Sequence, residues 1–307
     1  MRFLTLLALC STLMVVLSGC TPRPVPPNPS AALEAELGAH LDSLPDGAFV
    51  ALAVRDPHSG IVVSIHGDTL LHAASTMKVP VMVEVFRQAA GGRFSLDDTL
   101  EVRNTFRSIY DGSEYRIEVD SDDSLQALVG QFVTIRELNE RMITVSANLA
   151  TNLLIDLVSA DSIMATLNRI GALRMQVLRG VEDGPAFRAG LNNRATANDL
   201  AALMLAIGEG RAVSPEADAE MRAVLGRQRF RGMIPAGVPQ SAWVGNKTGW
   251  ITGIVHDAAL VQAPGTPAYA LVILTRGFGT LEEAEAFGVA LTQIAHRHVR
   301  PSVPTVP

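Results

Sequence analysis

The chain carries 25 Lys and Arg residues, and only Lys78 and Lys247 among them are lysines. An Arg guanidinium keeps its proton, whereas a buried Lys amine can give it up. Where a plain surface cation would serve, this sequence uses Arg. The two lysines therefore mark positions where Arg does not serve. Lys78 closes the run Ser75-Thr76-Met77-Lys78. In a helical start, that spacing puts Ser75 and Lys78 on one face, one turn apart. A serine hydroxyl is a poor nucleophile until a neighbouring base takes its proton. A desolvated Lys near another cation has its pKa lowered far enough to be that base.

Lys247 opens Lys247-Thr248-Gly249, at the end of a predicted strand, where the glycine leaves room for a substrate backbone. Between the two lysines lies Ser146-Ala147-Asn148, leading into a predicted helix. Taken alone, that tripeptide reads as an ordinary helix N-cap.

The three motifs, in this order and using both lysines, resemble the serine penicillin-recognising family, over roughly residues 31–300. Within it the chain resembles class A β-lactamases. The resemblance implies that Ser75 forms an acyl-enzyme, activated by Lys78, and that Ser146 relays a proton to the leaving nitrogen. It implies that Lys247 and Thr248 bind a substrate carboxylate, that Asn148 binds the acyl side-chain amide, and that Trp250 N–H pairs with Ser75 N–H as an oxyanion hole. It also implies a deacylating glutamate on a loop, which Glu182 matches in Arg179-Gly180-Val181-Glu182-Asp183-Gly184. The adjacent Asp183 leaves a second acid in play. Three departures stand out. Ala147 replaces the usual Asp of the middle motif, Ala186 stands where an Asn usually shares the water with Glu182, and bulky Trp250 follows Gly249 where small residues are usual. The expected activity is hydrolysis of β-lactam amides, without metal or organic cofactor. A D,D-peptidase or esterase on the same scaffold remains open, as does a penicillin- or peptidoglycan-binding lipoprotein that acylates without turnover.

These motifs need elements to hold them. Helical spacing covers 31–44, and a hairpin signal joins strands over 48–55 and 61–66 through Asp56-Pro57-His58-Ser59-Gly60. A helix over 79–90 must start close to Ser75, because Pro80 fits only a first turn. Further helices are predicted over 134–145, 148–158, 162–170 and 196–208. The acidic stretch 103–124 reads as a loop or small hairpin, expected to rim the cleft, and 179–193 reads as a loop. Strands return over 242–247, 258–262 and 268–275, followed by an amphipathic helix over 281–298. The predicted fold is α/β (α+β) with two lobes. A five-stranded antiparallel sheet is flanked by the terminal helices, with an all-helical lobe inserted. The sheet lobe spans about 31–93 and 227–300, and the helical lobe about 94–226.

The N-terminus carries an export pattern: Arg2, an apolar run from Phe3 to Leu17, then Leu17-Ser18-Gly19-Cys20. Residues 1–19 read as a lipoprotein signal peptide, with Cys20 lipidated and residues 20–30 a Pro-rich spacer. The expected location is the envelope of a bacterium, with the domain tethered to a membrane through its lipid. Residues 301–307 read as a Pro-rich tail. After processing only Cys20 would remain, which excludes internal disulfides, thiol catalysis and Cys-ligated metals. The seven histidines show no metal-ligand spacing, and a net charge of -6 without any basic run argues against a nucleic-acid partner. The expected partner is a small β-lactam or peptidoglycan-like substrate met by a monomer.

Overall fold

The computed structural model describes residues 28–300; the export pattern, Cys20 and the C-terminal tail lie outside them. Its centre is a five-stranded antiparallel sheet. The strands are β1 (Phe49–Asp56), β2 (Ile61–Ile65), β3 (Trp243–Ile251), β4 (Ile254–Gln262) and β5 (Tyr269–Arg276). Their order across the sheet is β2-β1-β5-β4-β3. Buried and exposed residues alternate only in edge strand β2, whereas β1, β4 and β5 are nearly continuous buried runs. That pattern belongs to strands covered on both faces.

Alternation along β1 sorts its side chains between two cores. Val50, Leu52 and Val54 pack with Leu33 and Leu37 of α1 (Pro29–Leu41) and with Leu291 and Ala295 of α8 (Leu281–Val299). Ala51 and Ala53 face the other way, into the core built by the helical region. Ala270, Val272 and Leu274 of β5 join that second core, while Tyr269, Leu271 and Ile273 join the first. The terminal helices thus cover one face. The inserted helices are α2 (Lys78–Ala90), α3 (Ile135–Thr144), α4 (Asn148–Val158), α5 (Ala160–Ile170), α6 (Ala197–Gly208) and α7 (Pro215–Gly226). Of these, α6 packs directly on β1, β4 and β5.

Most elements fall where periodicity and caps place them, with informative differences. Helix α1 starts two residues earlier than its spacing indicates, capped by Asn28, whose side chain accepts from Ser30 N. Helix α7 was not expected, although Ser214 caps it and Pro215 opens it, a start signal present in the sequence. Strands β3 and β4 run on to Ile251 and back from Ile254, so Thr248, Gly249 and Trp250 lie within β3 rather than after a strand ending at Lys247. Register matching of Lys247 to Ala258 and Trp250 to Val255 extends the ladder through the motif. The 103–124 stretch contains a small hairpin, Phe106–Arg107 with Glu114–Tyr115, and a helical turn at Asp123–Gln126.

Candidate active site

Ser75 sits in a 3-10 turn, Ala74–Met77, that runs straight into α2 at Lys78. Ala74 adopts φ 44°, a left-handed conformation unusual for a residue with a Cβ. Several tethers hold this strained turn. Thr76 Oγ1 donates to Ala73 O at 2.6 Å, and Ala74 N donates to His72 Nδ1 at 3.0 Å. Ala73 N donates to Asn193 O at 2.9 Å, tying the turn to the 179–193 loop. From β4, His256 Nε2 donates to His72 O at 2.9 Å, while its Nδ1 accepts from Thr275 N at 3.0 Å. Those two partners fix the tautomer with the proton on Nε2. Burial holds His256 neutral, with its pKa down at about 4. Gly249 of β3 closes against the same turn. A Cβ there would lie 3.1 Å from both Ser75 N and Ala74 Cβ, a contact tight enough that strand or turn would have to give by a few tenths of an ångström.

Both lysines are fully buried. Lys78 Nζ donates to Ser146 O at 2.7 Å, Asn148 Oδ1 at 2.8 Å and Ser146 Oγ at 3.2 Å. Lys247 Nζ donates to the same Ser146 Oγ at 3.1 Å and to Thr248 O at 2.9 Å. Burial drives the Lys78 amine down to about 7, against the opposing pull of the Asp120 and Glu182 carboxylates. Burial and then the charge of Lys78 lower Lys247 well below the ordinary lysine value, with Asp257 opposing. Asp257 itself is lifted to about 6 by burial, and it accepts from Asn246 Nδ2 at 2.9 Å and Ile234 N at 3.1 Å. This network fixes the strand that carries Lys247.

The Ser146-Ala147-Asn148 loop is strained too, with Ser146 at φ 61°. Ser146 is not the N-cap of α4. Ala147 holds that position and offers no capping side chain. The Asp120 carboxylate caps the helix from outside, accepting from Asn148 N at 2.7 Å and Leu149 N at 2.8 Å. Sequence reasoning placed Asp120 only at a rim, because an acidic cluster gives no sign of which member reaches a distant helix end.

Glu182 and Asp183 part company in space. Asp183 is buried and accepts from Ser108 Oγ, Ile109 N and Ala186 N at 2.7, 3.0 and 3.1 Å, so its carboxylate is spent on structure. Glu182, at φ 61°, turns its carboxylate towards the cleft, and Oε2 accepts from Glu118 N at 2.8 Å. Asn152 of α4 pins the preceding residue, accepting from Val181 N at 2.7 Å and donating to Val181 O at 3.0 Å. The neck of the loop is closed by Asn193, whose side chain bonds Leu178 N, Arg179 N and Arg179 O.

Two cavities, of about 530 and 430 Å³, meet at this site. Ser75, Asn148, Glu182 and Trp250 line both. The larger runs past Ser146 and Thr248 towards Phe230, Met233 and Glu285. The smaller opens beneath the 179–193 loop beside His72, Arg179 and Phe187. Trp250 is 64% exposed and stands over the junction. All eight residues singled out in the sequence for catalysis or substrate binding thus fall in one neighbourhood: Ser75, Lys78, Ser146, Glu182, Asn148, Lys247, Thr248 and Trp250. The Ser75 hydroxyl itself makes no hydrogen bond among the described residues, while Lys78 bonds Ser146 and Asn148. Hydrogen bonds of this kind often tighten only once substrate is bound. Sequence reasoning did not find the His72–His256 tether, since each histidine is isolated in sequence and resembles ordinary strand residues. No grouping of His, Cys, Asp or Glu suited to a metal ion occurs among the described residues.

Comparison with known proteins agrees with this fold. The profile of the beta-lactamase enzyme family matches residues 33–299. A β-lactamase from Sphaerobacter thermophilus superposes with a TM-score of 0.76 at 28% identity, over 89% of this chain and 99% of that one. An ancestral class A β-lactamase, GNCA, gives a TM-score of 0.73 at 23% identity, over 85% of this chain and 98% of that one. A mutant of PBP-A solved as an acyl-enzyme complex with penicillin G gives 0.70 at 24% identity, over 87% of this chain and 96% of that one. At such identities the last two speak for the fold. The comparison with curated protein sequences gave no match. The match over nearly all the described residues shows that the chain belongs to the beta-lactamase enzyme family.

Proposed function

We propose that the protein is a serine hydrolase that opens β-lactam amides through an acyl-enzyme on Ser75. The observation that carries this reading is the convergence of both buried lysines on Ser146 Oγ, next to a serine that faces two cavities. Neutral Lys78 takes the Ser75 proton as Oγ attacks the lactam carbonyl. The oxyanion is held by backbone N–H groups of Ser75 and Trp250. As the C–N bond breaks, Ser146 donates its hydroxyl proton to the nitrogen and is reprotonated from Lys78. Lys247 and Thr248 hold the substrate carboxylate, and Asn148 the acyl side-chain amide. Glu182 then takes a proton from water, whose oxygen attacks the ester. The Ser75–acyl bond breaks, the proton held by Glu182 passes to Ser75 Oγ, and the open acid leaves. Acid–base steps of this kind contribute roughly 10²–10⁴ in rate each.

One observation favours a slower variant of the same chemistry. Glu182 is bonded to Glu118 N, and Ala186 provides no side-chain amide to share the water. A D,D-peptidase, or a binder that acylates and releases slowly, would fit that arrangement. Cys20 supports a lipid tether that holds the domain at a bacterial membrane. The test of the main reading is steady-state hydrolysis of benzylpenicillin by the wild type and by Ser75→Ala. Turnover in the wild type that vanishes in the variant supports it, and activity that survives Ser75→Ala on any acyl substrate contradicts it.

A further inference from the structure

The 103–124 stretch has more structure than a rim requires. Asn104 brackets Ile117 from both sides, donating to its O at 3.0 Å and accepting from its N at 2.8 Å. Ser108 and Ile109 anchor the hairpin to Asp183, and Asp122 pairs with Arg141 of α3 at 2.8 Å. These anchors fix the residues between them, Glu118 to Asp120, against the site. Three consecutive residues then each grip a different group. Glu118 N donates to Glu182 Oε2, Val119 O accepts from Asn148 Nδ2 at 3.2 Å, and Asp120 receives the N–H groups of Asn148 and Leu149.

The start of α4 needs that help. Ala147 has no side-chain oxygen, Ser146 spends its own on the lysines, and the first N–H groups of a helix otherwise lack partners. An anionic acceptor there is also favoured by the helix dipole. The consequence reaches Lys78. Asn148 must hold its amide with Nδ2 on Val119 O and Oδ1 on Lys78 Nζ, and Ser146 must hold its strained backbone so that both O and Oγ face Lys78.

We infer that Asp120 is a positioning residue for the proposed acylation. Acting as an N-cap supplied from outside α4, it orients Ser146 and Asn148 and, through them, the Lys78 amine. The inference rests on the reading of Ser75 and Lys78 given above, but its structural part can be read without any substrate. The charged groups that face Lys78 are Asp120, Glu182 and Lys247, and Asp120 is the one that also holds the backbone around it.

Two lysines in the whole chain make the test direct. Protein labelled with 13C at lysine Cε gives one signal each for Lys78 and Lys247, whose pH titrations are followed in wild type, Asp120→Asn and Asp120→Glu. Amide exchange at Asn148 and Leu149 is measured alongside. In Asp120→Asn, exchange at those two amides should speed up at least tenfold, and the Lys78 titration should move to lower pH, because a carboxylate that favours the ammonium is gone. Asp120→Glu should restore most of the Lys78 titration. With a reactive β-lactam, acylation by Asp120→Asn should slow roughly tenfold or more through kcat, with its pH profile following Lys78. If Asp120→Asn leaves exchange at Asn148 and Leu149 and the Lys78 titration unmoved, the inference is wrong. A changed KM with those readings intact would make Asp120 a substrate contact instead. Should the wild type acylate with nothing, the functional reading fails, while exchange and titration still decide the role of Asp120.

Discussion

Lys78 Nζ and Lys247 Nζ, from a helix and an edge strand 169 residues apart in sequence, both donate to Ser146 Oγ, at 3.2 and 3.1 Å. A hydroxyl has two acceptor sites and one proton. With both acceptor sites occupied, the proton is what Ser146 has left to give. The same contact keeps two buried amines close together, which lowers Lys247 further than burial alone.

Ser146→Ala removes this shared acceptor and the proton with it. Acylation should fall by about 10²-fold or more, the low end of what a positioned acid–base group contributes. Stopped-flow acylation against a chromogenic cephalosporin measures this. The loss should be smaller for substrates whose leaving group needs no proton, which separates a proton relay from simple collapse of the site.

The acylation rate should depend on pH through Lys78. The amine must be neutral to accept the Ser75 proton, and it titrates at about 7. The rate constant kcat/KM should therefore rise as pH increases through about 7 and level off above it. The stability sign is the same. The folded pKa lies below the unfolded value of 10.5, so the folded chain gains stability relative to Lys78→Met as pH rises from about 7 towards 10.5. Thermal unfolding of the two proteins at several pH values checks this.

Glu182→Gln keeps the shape of the side chain and removes the base. Acylation should persist while deacylation slows by about 10²-fold or more. Intact mass after mixing with benzylpenicillin should then show a lasting adduct where the wild type shows a short-lived one. Equal lifetimes in the two proteins would take the water away from Glu182.

The terminal helix is locked to the sheet by Arg300, which donates to the buried Asp56 at 2.6 Å. Burial alone would raise the Asp56 carboxyl, but bonds from Arg300, Ser59 and His58 N–H hold it below its ordinary value. Arg300→Met should cost about 3 kcal/mol or more by leaving a buried carboxylate unpaired. That is roughly 10 °C in Tm for a domain of this size. The wild-type advantage should be full above the unfolded value of 3.8 and disappear as pH falls through the lower folded value.

Local patterns carried much of the fold. Unbroken apolar runs announced β1 and β5, and the amphipathic pattern over 281–298 announced α8. Ser75, Lys78 and Lys247 were legible because the chain uses Arg wherever it can. What stayed hidden depends on distant partners. Nothing within the 103–124 stretch reveals that Asp120 ends up under α4, since its acceptors are set by where the hairpin is anchored. The choice between Glu182 and Asp183 likewise rests on Ser108 and Ile109, some 74 residues upstream. The His72–His256 tether links a short strand to β4 across 184 positions.

The central claim is the acyl-enzyme on Ser75. Its most direct test is to mix the purified protein with benzylpenicillin, follow lactam opening, and record intact mass with peptide mapping over the same time course. The account predicts a mass increase equal to one penicillin, located on Ser75, that decays as the open product accumulates and is absent in Ser75→Ala. No adduct and no opening, or opening that survives Ser75→Ala, would contradict it.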